Sequence, residues 1–233
     1  SEGGVIVDAD YSQIELRVLA ALSDDKEMLD AFKHGLDIHR KTASEVFHVD
    51  YDEVDDRQRY EAKAVNFGIV YGISDYGLSQ NLNIPRKAAK EYIDNYLGHF
   101  VGIKDYMAEE IKNGKDKGYV ETIFKRRRYI PELNAKNFNI RSFGERIALN
   151  TPIQGSAADI IKIAMVKVYN ELKKRNLKSK LIIQIHDELV VDTAKDEIEE
   201  VKELMKDLME NSVDLNVKLS VDMNTGANLY ESK

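Results

Sequence analysis

The stretch LIIQIHDELVV (residues 181–191) decides the fold class of this chain. Two apolar runs, at 181–185 and 189–191, flank a short polar segment that contains His186 and Asp187. Short apolar runs separated by a polar turn are typical of buried strands joined as a hairpin. The sequence therefore predicts a tight hairpin whose turn carries Asp187.

One more strand and a series of helices accompany this hairpin. Residues 5–7 form a short apolar run that leads into Asp8 and Asp10, which predicts a buried strand. We expect helices at 12–22, 24–34, 37–47, 55–72, 85–96, 103–117, 140–150, 157–175 and 198–209, a basic hairpin at 119–130 and a last strand at 217–221. Thr151 and Pro152 predict a break between two of these helices. The order of elements indicates an α+β fold, with a helical lobe inserted into a small sheet.

The composition excludes several classes of protein. The chain has 233 residues, of which 43% are hydrophobic, and it contains no cysteine, so disulfide scaffolds and thiol chemistry are excluded. No apolar run approaches the ~20 residues of a membrane span, so we expect no membrane partner. The chain opens on Ser1 and Glu2 without a signal peptide or an initiator Met. We therefore expect a cytoplasmic protein that is a piece of a longer chain.

The net charge of the chain is -7, but its acidic and basic residues are unevenly distributed along the sequence. Residues 112–146 contain ten Lys and Arg against four Asp and Glu, whereas residues 195–233 contain five Lys against ten Asp and Glu. An acidic protein can therefore still present one basic face to phosphates. The basic turn at 125–128 is either solvated or a contact to a nucleic-acid backbone.

Asp10 and Asp187 are candidate ligands for metal ions. Both follow apolar strands, and carboxylates on rigid strand ends can hold Mg²⁺ for an in-line displacement at phosphorus. The alternative is that Asp10 caps the next helix and Asp187 is an ordinary turn residue.

Four residues of the helix at 55–72 recur at steps of four and form one stripe: Arg59, Lys63, Phe67 and Tyr71. Two cations are followed by two aromatic rings, the same order as the phosphates and base of a nucleoside triphosphate. The alternative is that these aromatics belong to the core, which is the usual meaning of helical spacing.

Other candidates have equally plain structural alternatives. Ser12 and Glu15 have the form of a capping box, and His39 is an ordinary side chain near a helix start. Asn150 and Gln154 either read acceptors in a DNA minor groove or cap a broken helix. His186 is a possible metal ligand, although no second histidine is near it in the sequence.

Together, these segments resemble the family A DNA polymerases of the bacterial polymerase I type. DADYSQIELRVLAALS (residues 8–23) looks like the first palm motif of that family, and QIHDELV (residues 184–190) looks like its third motif. RQRYEAKAVNFGIVYGIS (residues 57–74) is similar to its fingers helix, with the pattern R-x-x-x-K-x-x-x-F-x-x-x-Y-G. The motifs stand in the family's order, and the likeness extends over essentially the whole chain.

The resemblance implies a template-directed DNA polymerase, and it implies a role for each matching residue. Asp10, Asp187 and the carbonyl of Tyr11 would bind two Mg²⁺ ions. The incoming dNTP would be held by Arg59, Lys63 and Phe67, with Gln13 and His39 nearby, and Lys63 would also be catalytic. Tyr71 would stack at the template position, and Glu15 would close the pocket against a 2'-hydroxyl. The residues implied for the minor groove of primer-template DNA are Arg146, Asn150, Gln154 and His186.

The resemblance also implies an architecture. Residues 1–35 and 141–233 would form a palm with a small antiparallel sheet, and residues 36–140 would form helical fingers. The family's thumb and the first part of its palm are absent, so we expect a missing N-terminal polymerase region as a partner. We also expect a bacterial protein associated with the nucleoid. Lys125 replaces the usual Gly of a basic turn, and Leu229 replaces a usual C-terminal aromatic.

Two other functions compete with polymerisation. A two-metal nuclease would need Asp10 and Asp187 but would have no use for the stripe from Arg59 to Tyr71. A fragment without its thumb could instead bind nucleic acid and remain inactive.

Overall fold

The computed structural model describes residues 3–232. The helices and strands, in chain order, are β1 (Val5–Tyr11), α1 (Ile14–Ser23), α2 (Lys26–Lys33), α3 (Ile38–Phe47), α4 (Asp56–Val70), α5 (Asp75–Leu82), α6 (Arg86–His99), α7 (Val101–Lys117), β2 (Tyr119–Glu121), β3 (Arg127–Tyr129), α8 (Phe138–Lys174), β4 (Lys180–Ile185), β5 (Glu188–Thr193), α9 (Ile198–Glu210) and β6 (Val221–Gly226). The chain divides into two compact units, which are Ser1–Ile14 with Ala157–Lys233, and Glu15–Ser156.

The first unit is built on an antiparallel sheet with the strand order β4-β5-β1-β6. β1 lies between β5 and β6, so both of its edges are paired and Val7 and Ala9 are fully buried. The amphipathic helix α9 packs on β1 and buries Val201, Leu204, Met205 and Met209. Burial of this apolar face orders the sheet that carries Asp10 and Asp187.

The second unit contains helices α2–α7 and the hairpin of β2 with β3. Helices α3 and α4 pack through a cluster that includes Ala43 and Ala62, whose small side chains permit close approach. Asp25 joins two parts of this unit, because its carboxylate caps α2 at the backbone N–H of Met28 and also accepts from the backbone N–H of Gly102.

Most of the sequence predictions are confirmed. The fold is α+β with a small antiparallel sheet, and the hairpin turn between β4 and β5 carries His186 and Asp187. Asp37 caps α3, Asp55 opens α4 through a capping box with Gln58, and Gly118 ends α7. In the described part of the chain, no helix combines the length and the apolar character that a bilayer span requires.

The predicted helix break at Thr151 and Pro152 is wrong, because α8 continues through Pro152. A proline removes one backbone donor from a helix, but the apolar residues Leu149 and Ile153 on either side of it are buried here. The Ser156 hydroxyl also donates to the Pro152 carbonyl oxygen at 2.5 Å. Packing therefore outweighs the lost helical hydrogen bond.

The last strand was also misplaced, since β6 spans Val221–Gly226 rather than residues 217–221. Val217, Leu219 and Val221 do alternate and are buried, but only Val221 pairs with β1, opposite Tyr11. Alternation reports which side chains are buried, whereas a strand also needs a partner for its backbone. The short helix α5 was not predicted, because its sequence lacks a strong apolar period.

Candidate functional site

Asp10 and the four carboxylates whose charges act on it form what we call the carboxylate cluster: Asp8, Asp10, Asp187, Glu188 and Asp222. Asp10 of β1 pairs with Glu188 of β5 on one side and with Asp222 of β6 on the other. Directly paired residues share a face of the sheet, with Cβ atoms about 5 Å apart. The register therefore places three carboxylates side by side across β5, β1 and β6.

The hairpin turn adds Asp187 to this cluster. The backbone N–H of Tyr11 donates to the carbonyl oxygen of Asp187 at 3.2 Å, which holds the turn at the end of β1. His186 has a left-handed backbone with φ of 51°, and the Gln184 amide Nε2 donates to its carbonyl oxygen at 2.6 Å. This bend lets a two-residue turn connect the strands. The structure thus brings the two predicted metal ligands to one end of the sheet.

The cluster concentrates negative charge. Burial raises the pKa of Asp10 to about 6, and the neighbouring charges of Asp187, Glu188, Asp8 and Asp222 raise it further in the same direction. The four charged groups that raise the pKa of Asp10 are all carboxylates, so their combined charge favours a bound cation.

These carboxylates fit the Mg²⁺ ions that the sequence predicted. Among residues 3–232, no group of three or more His, Asp or Glu side chains is arranged so that it could hold a metal ion by itself. Mg²⁺ usually keeps several waters and is bound through one or two carboxylates together with substrate phosphates, so a closed cage is not required. Asp10 and Asp187 meet this requirement.

The residues after Asp10 are held by the same unit. The Tyr11 ring is buried, and its hydroxyl donates to the Met209 carbonyl oxygen at 2.7 Å and lies 3.0 Å from the Ser212 hydroxyl. Burial raises the pKa of Tyr11 to about 12, so this side chain stays neutral at physiological pH. Ser12 donates to Asp222 at 2.6 Å, and Gln13 follows with a left-handed φ of 53°.

In the second unit, the predicted stripe of Arg59, Lys63, Phe67 and Tyr71, which we call the α4 stripe, lies outside the core. Lys63 is exposed, and Tyr71, the C-cap residue of α4, is 42% exposed. The opposite face of α4 is the buried one, with Ala62, Val65, Asn66 and Ile69. The interpretation of the stripe as core is therefore wrong.

A cavity of about 550 Å³ opens beside the α4 stripe. Its lining includes Tyr60, Lys63, Phe67, Tyr71 and Arg146. Gly72 makes this arrangement possible, because it has a left-handed φ of 63° and a Cβ there would lie only 3.1 Å from Cγ of Arg146. Cationic and aromatic side chains thus line one cavity.

Tyr71 is tied to Glu15. Its hydroxyl donates to Oε2 of the Glu15 carboxylate at 3.1 Å, across 56 residues of sequence. The two residues to which the resemblance gave neighbouring roles are therefore in direct contact.

At the other end of the stripe, Arg59 pairs with Asp37. Arg59 Nε donates to Oδ2 of Asp37 at 2.7 Å, while Oδ1 of the same carboxylate accepts from the backbone N–H groups of His39 and Arg40 at the start of α3. Partial burial opposes the charge of Asp37, but these hydrogen bonds and the charge of Arg59 lower its pKa. Asp37 thus holds Arg59 beside His39.

His39 is buried and neutral. Burial lowers its pKa to about 4; the charge of Asp37 opposes this shift, and the charges of Arg59 and Lys63 add to it. Its ring lies 5.8 Å from that of Phe67, centroid to centroid. The structure therefore brings His39, Arg59, Lys63 and Phe67 together.

Three of the residues predicted to bind DNA share one face of α8: Arg146, Asn150 and Gln154 lie at successive steps of four. Asn150 Nδ2 donates to Oε1 of Gln154 at 3.0 Å. Because α8 is continuous, these amides do not cap a broken helix. His186 lies in the first unit, on the hairpin turn, and is exposed.

The basic turn between β2 and β3 adjoins Gln154. Arg126 Nη2 donates to the Gly155 carbonyl oxygen at 2.9 Å, and Arg128 Nη1 donates to the Thr151 hydroxyl at 3.2 Å. Lys125 has a left-handed φ of 64°, a conformation that glycine adopts without strain, at the position where the resemblance implies a glycine.

Sequence reasoning missed several residues of these sites. Glu188 and Asp222 lie beside Asp10 because of the register in which β5 and β6 pair with β1. No local sequence pattern predicts this register. Asp37 was identified only as a helix cap, and its bond to Arg59 depends on the packing of α3 against α4. A polar residue within the apolar face of a helix is a signal that the sequence does show, and Asn66 of α4 is such a residue.

Comparisons with known proteins agree with the architecture. The family model described as DNA polymerase family A matches residues 1–231. The DNA polymerase I of Bacillus subtilis is 56% identical over 98% of the chain, and that of Geobacillus stearothermophilus is 53% identical over 98%. In both cases the match covers 26% of the relative, so the chain spans about a quarter of their length.

A solved structure is also similar to the whole chain. The polymerase domain of Pol1 from M. smegmatis, in complex with DNA primer-template and dNTP, matches with a TM-score of 0.96 and 41% identity. The match covers 100% of this chain and 41% of that one. From the family match over residues 1–231 and these relatives, we conclude that the chain belongs to DNA polymerase family A.

Proposed function

We propose that this chain carries the nucleotidyl-transfer site of a template-directed DNA polymerase. It would add deoxynucleotides from dNTPs to the 3'-hydroxyl of a primer. The observation that carries the proposal is the α4 stripe, which presents two cations and then two rings outside the core of a family A chain. A nuclease would need the carboxylate cluster but not this ordered stripe.

In the proposed reaction, each set of residues has a separate task. Asp10, Asp187 and the Tyr11 carbonyl would hold two Mg²⁺ ions. When bound, these ions would activate the primer hydroxyl and neutralise charge at the reacting phosphate. Arg59 and Lys63 would bind the triphosphate, and Lys63 would stabilise the charge that develops on the leaving pyrophosphate. Such positioning and charge stabilisation supply most of the catalysis in phosphoryl transfer.

The remaining predicted residues would select and position the substrates. Phe67 would pack on the incoming nucleotide, with Gln13 and His39 nearby, and Tyr71 would stack at the template position. Glu15 would exclude a ribonucleotide 2'-hydroxyl. Minor-groove acceptors of primer-template DNA occur at similar places in all base pairs, so amide and cationic donors can follow the duplex without reading its sequence. The donors proposed for this are Arg146, Asn150, Gln154 and His186.

We also propose that residues 1–35 and 141–233 form a palm and that residues 36–140 form the fingers. Because the chain spans about a quarter of its curated relatives, we infer that grip on the duplex depends on the rest of a full polymerase. Its place of action would be the bacterial nucleoid, where primed DNA occurs. The second candidate function is DNA binding without synthesis when the chain acts alone.

A primer-extension assay tests these alternatives. The chain would be tested alone, and also joined behind the preceding part of the B. subtilis relative, with a labelled primer-template, Mg²⁺ and dNTPs. Extension by the joined protein supports the polymerase proposal. Shortening of the primer would indicate a nuclease, and a mobility shift without extension in both forms would indicate a binding fragment.

A further inference from the structure

The amide of Asn66 on α4 contacts two residues of α3. Its Nδ2 lies 3.1 Å from Nδ1 of His39 and donates to Oγ1 of Thr42 at 3.0 Å. Its Oδ1 accepts from the same hydroxyl at 3.1 Å. Asn66 and Thr42 are fully buried and His39 is nearly so. Breaking any of these contacts would leave a buried polar group unsatisfied, so the network holds the imidazole in one orientation.

This contact defines the tautomer of His39. An amide NH₂ group has hydrogens to donate and no acceptor lone pair, so Nδ1 of the imidazole must be the acceptor. The ring proton of the neutral histidine then lies on Nε2. Among residues 3–232, the structure gives Nε2 no protein hydrogen-bond partner, so it remains available as a donor.

The surroundings of His39 indicate what Nε2 would meet. Arg59 and Lys63 are close enough to lower its pKa, and the ring contacts Phe67. Asp37 is the opposing charge, and it also accepts from the backbone N–H of His39 and from Arg59. A neutral N–H donor beside two cations is suited to an anionic oxygen.

We propose that Asn66 is a positioning residue that holds His39 as the neutral Nε2–H tautomer, so that Nε2 donates to a phosphate oxygen of the incoming triphosphate. The Thr42 hydroxyl contacts both the nitrogen and the oxygen of the Asn66 amide, which keeps the amide group beside His39. The inference rests on the proposed function of the α4 stripe, but the tautomer itself does not.

Nitrogen NMR of the ¹⁵N-histidine-labelled chain tests the tautomer without any nucleotide. The chain has five histidines, and His39→Gln identifies the signal of His39. We expect a protonated Nε2 and an unprotonated Nδ1 at pH 7. A protonated Nδ1 would overturn the inference while leaving the proposed polymerase function intact.

A double-mutant cycle tests whether Asn66 acts through His39. The measurement is the affinity of the chain for dATP and for inorganic tripolyphosphate, with unfolding measured in parallel. We expect Asn66→Ala and His39→Ala each to weaken binding about tenfold, the effect of one hydrogen bond to a charged group. We expect the double variant to be no weaker than His39→Ala alone. Additive losses would mean that Asn66 acts only on the structure.

Asn95→Ala is the matched control, because the Asn95 amide, like that of Asn66, lies beside a histidine ring nitrogen, that of His48 at 3.4 Å, while it donates to the backbone carbonyl oxygen of Val46. It should change stability without changing affinity. Normal binding by His39→Ala would overturn the donor role. Normal binding by Lys63→Ala as well would show that the α4 stripe does not bind triphosphate, which is a failure of the proposed function itself.

Asn66→Asp gives a signature that a purely structural role would not produce. The new carboxylate would face Nδ1 and favour a protonated imidazole, which raises the pKa of His39. We expect tripolyphosphate affinity to fall as pH rises from 5 to 8 in this variant, and to lack this step in the wild type. Identical pH profiles would overturn the inference.

Discussion

The hydroxyl of Tyr71 donates to the Glu15 carboxylate at 3.1 Å, which joins the last residue of the α4 stripe to the residue proposed to select the sugar. A carboxylate held by a tyrosine has a defined position, whereas a free one on a helix surface would sample several rotamers. Selection against a 2'-hydroxyl should therefore depend on both residues.

Glu15→Ala should admit ribonucleotides, because it opens space and removes a charge at the proposed 2' position. We expect the dNTP to rNTP preference of the joined protein to fall about 10- to 100-fold, the range for contacts of this kind. Tyr71→Phe, which removes only the hydroxyl, should produce a smaller fall. If Glu15 acts only in a capping box, Glu15→Ala would lower stability by about 1 kcal/mol and leave the preference unchanged.

Lys63→Ala should weaken the binding of all four dNTPs by a similar factor, about tenfold or more, because it removes a charge that meets phosphate rather than base. The measurement is the dNTP concentration dependence of extension by the joined protein. Lys90→Ala is the control, since Lys90 is an exposed helical lysine that pairs with Asp94. A loss confined to one base would contradict the phosphate role.

Asp10→Asn should stabilise the metal-free chain at neutral pH. The pKa of Asp10 in the folded chain, about 6, lies above its ordinary value of 3.8, so the folded state binds this proton more tightly. Stability therefore falls as pH rises from about 4 to 6, and the asparagine variant avoids that loss. Melting in EDTA from pH 4 to 8 should show a Tm advantage that grows to pH 6 and then stays level.

The same variant should lose the stabilisation that Mg²⁺ confers on the wild type. Asp196→Asn is the control, because the hydrogen bond from Lys178 lowers the pKa of Asp196. The ionised form of Asp196 therefore stabilises the fold at pH values above the pKa of the unfolded chain, so this variant should lower the Tm at pH 7. A lower Tm for Asp10→Asn than for the wild type at pH 7 in EDTA would contradict the charge assigned to the cluster.

Gly72→Ala should cost more stability than Gly35→Ala. Both glycines have a left-handed backbone, with φ of 63° and 66°, so each alanine should cost about 1–2 kcal/mol in strain. A Cβ at position 35 meets nothing within 4 Å, whereas one at position 72 would press on Arg146. Denaturant unfolding measures the difference, and DNA binding should fall only in Gly72→Ala. Equal effects would mean that Arg146 moves aside freely.

Local patterns predicted the elements whose signals are local. The caps at Asp37 and Asp55 and the hairpin around Asp187 were predictable because a side chain or a turn acts within a few residues. The continuity of α8 through Pro152 was not, because it depends on burial of the flanking apolar residues and a hydroxyl from Ser156.

The candidate site divides in the same way. The α4 stripe was visible in one helix, and its residues were predicted correctly as a set on one face. Glu188 and Asp222 needed the register of three strands, and the Asn66 network needed the packing of two helices. Contacts between residues far apart in the sequence cannot be predicted from the pattern of a short stretch.

The position of β1 between β5 and β6 has a consequence for synthesis on the ribosome. Asp10 is translated well before β5 and β6, and Tyr11 beside it bonds to Met209, 198 residues later. Residues 15–156 lie between β1 and the other strands, so all of them are translated before the sheet can assemble, and closing so long a loop is slow and entropically costly. Until β5 and β6 have been translated, Asp8 is the one member of the carboxylate cluster that lies on the same strand as Asp10. In the nascent chain, the proposed metal site would therefore form only after β5 and β6 have been translated and paired with β1.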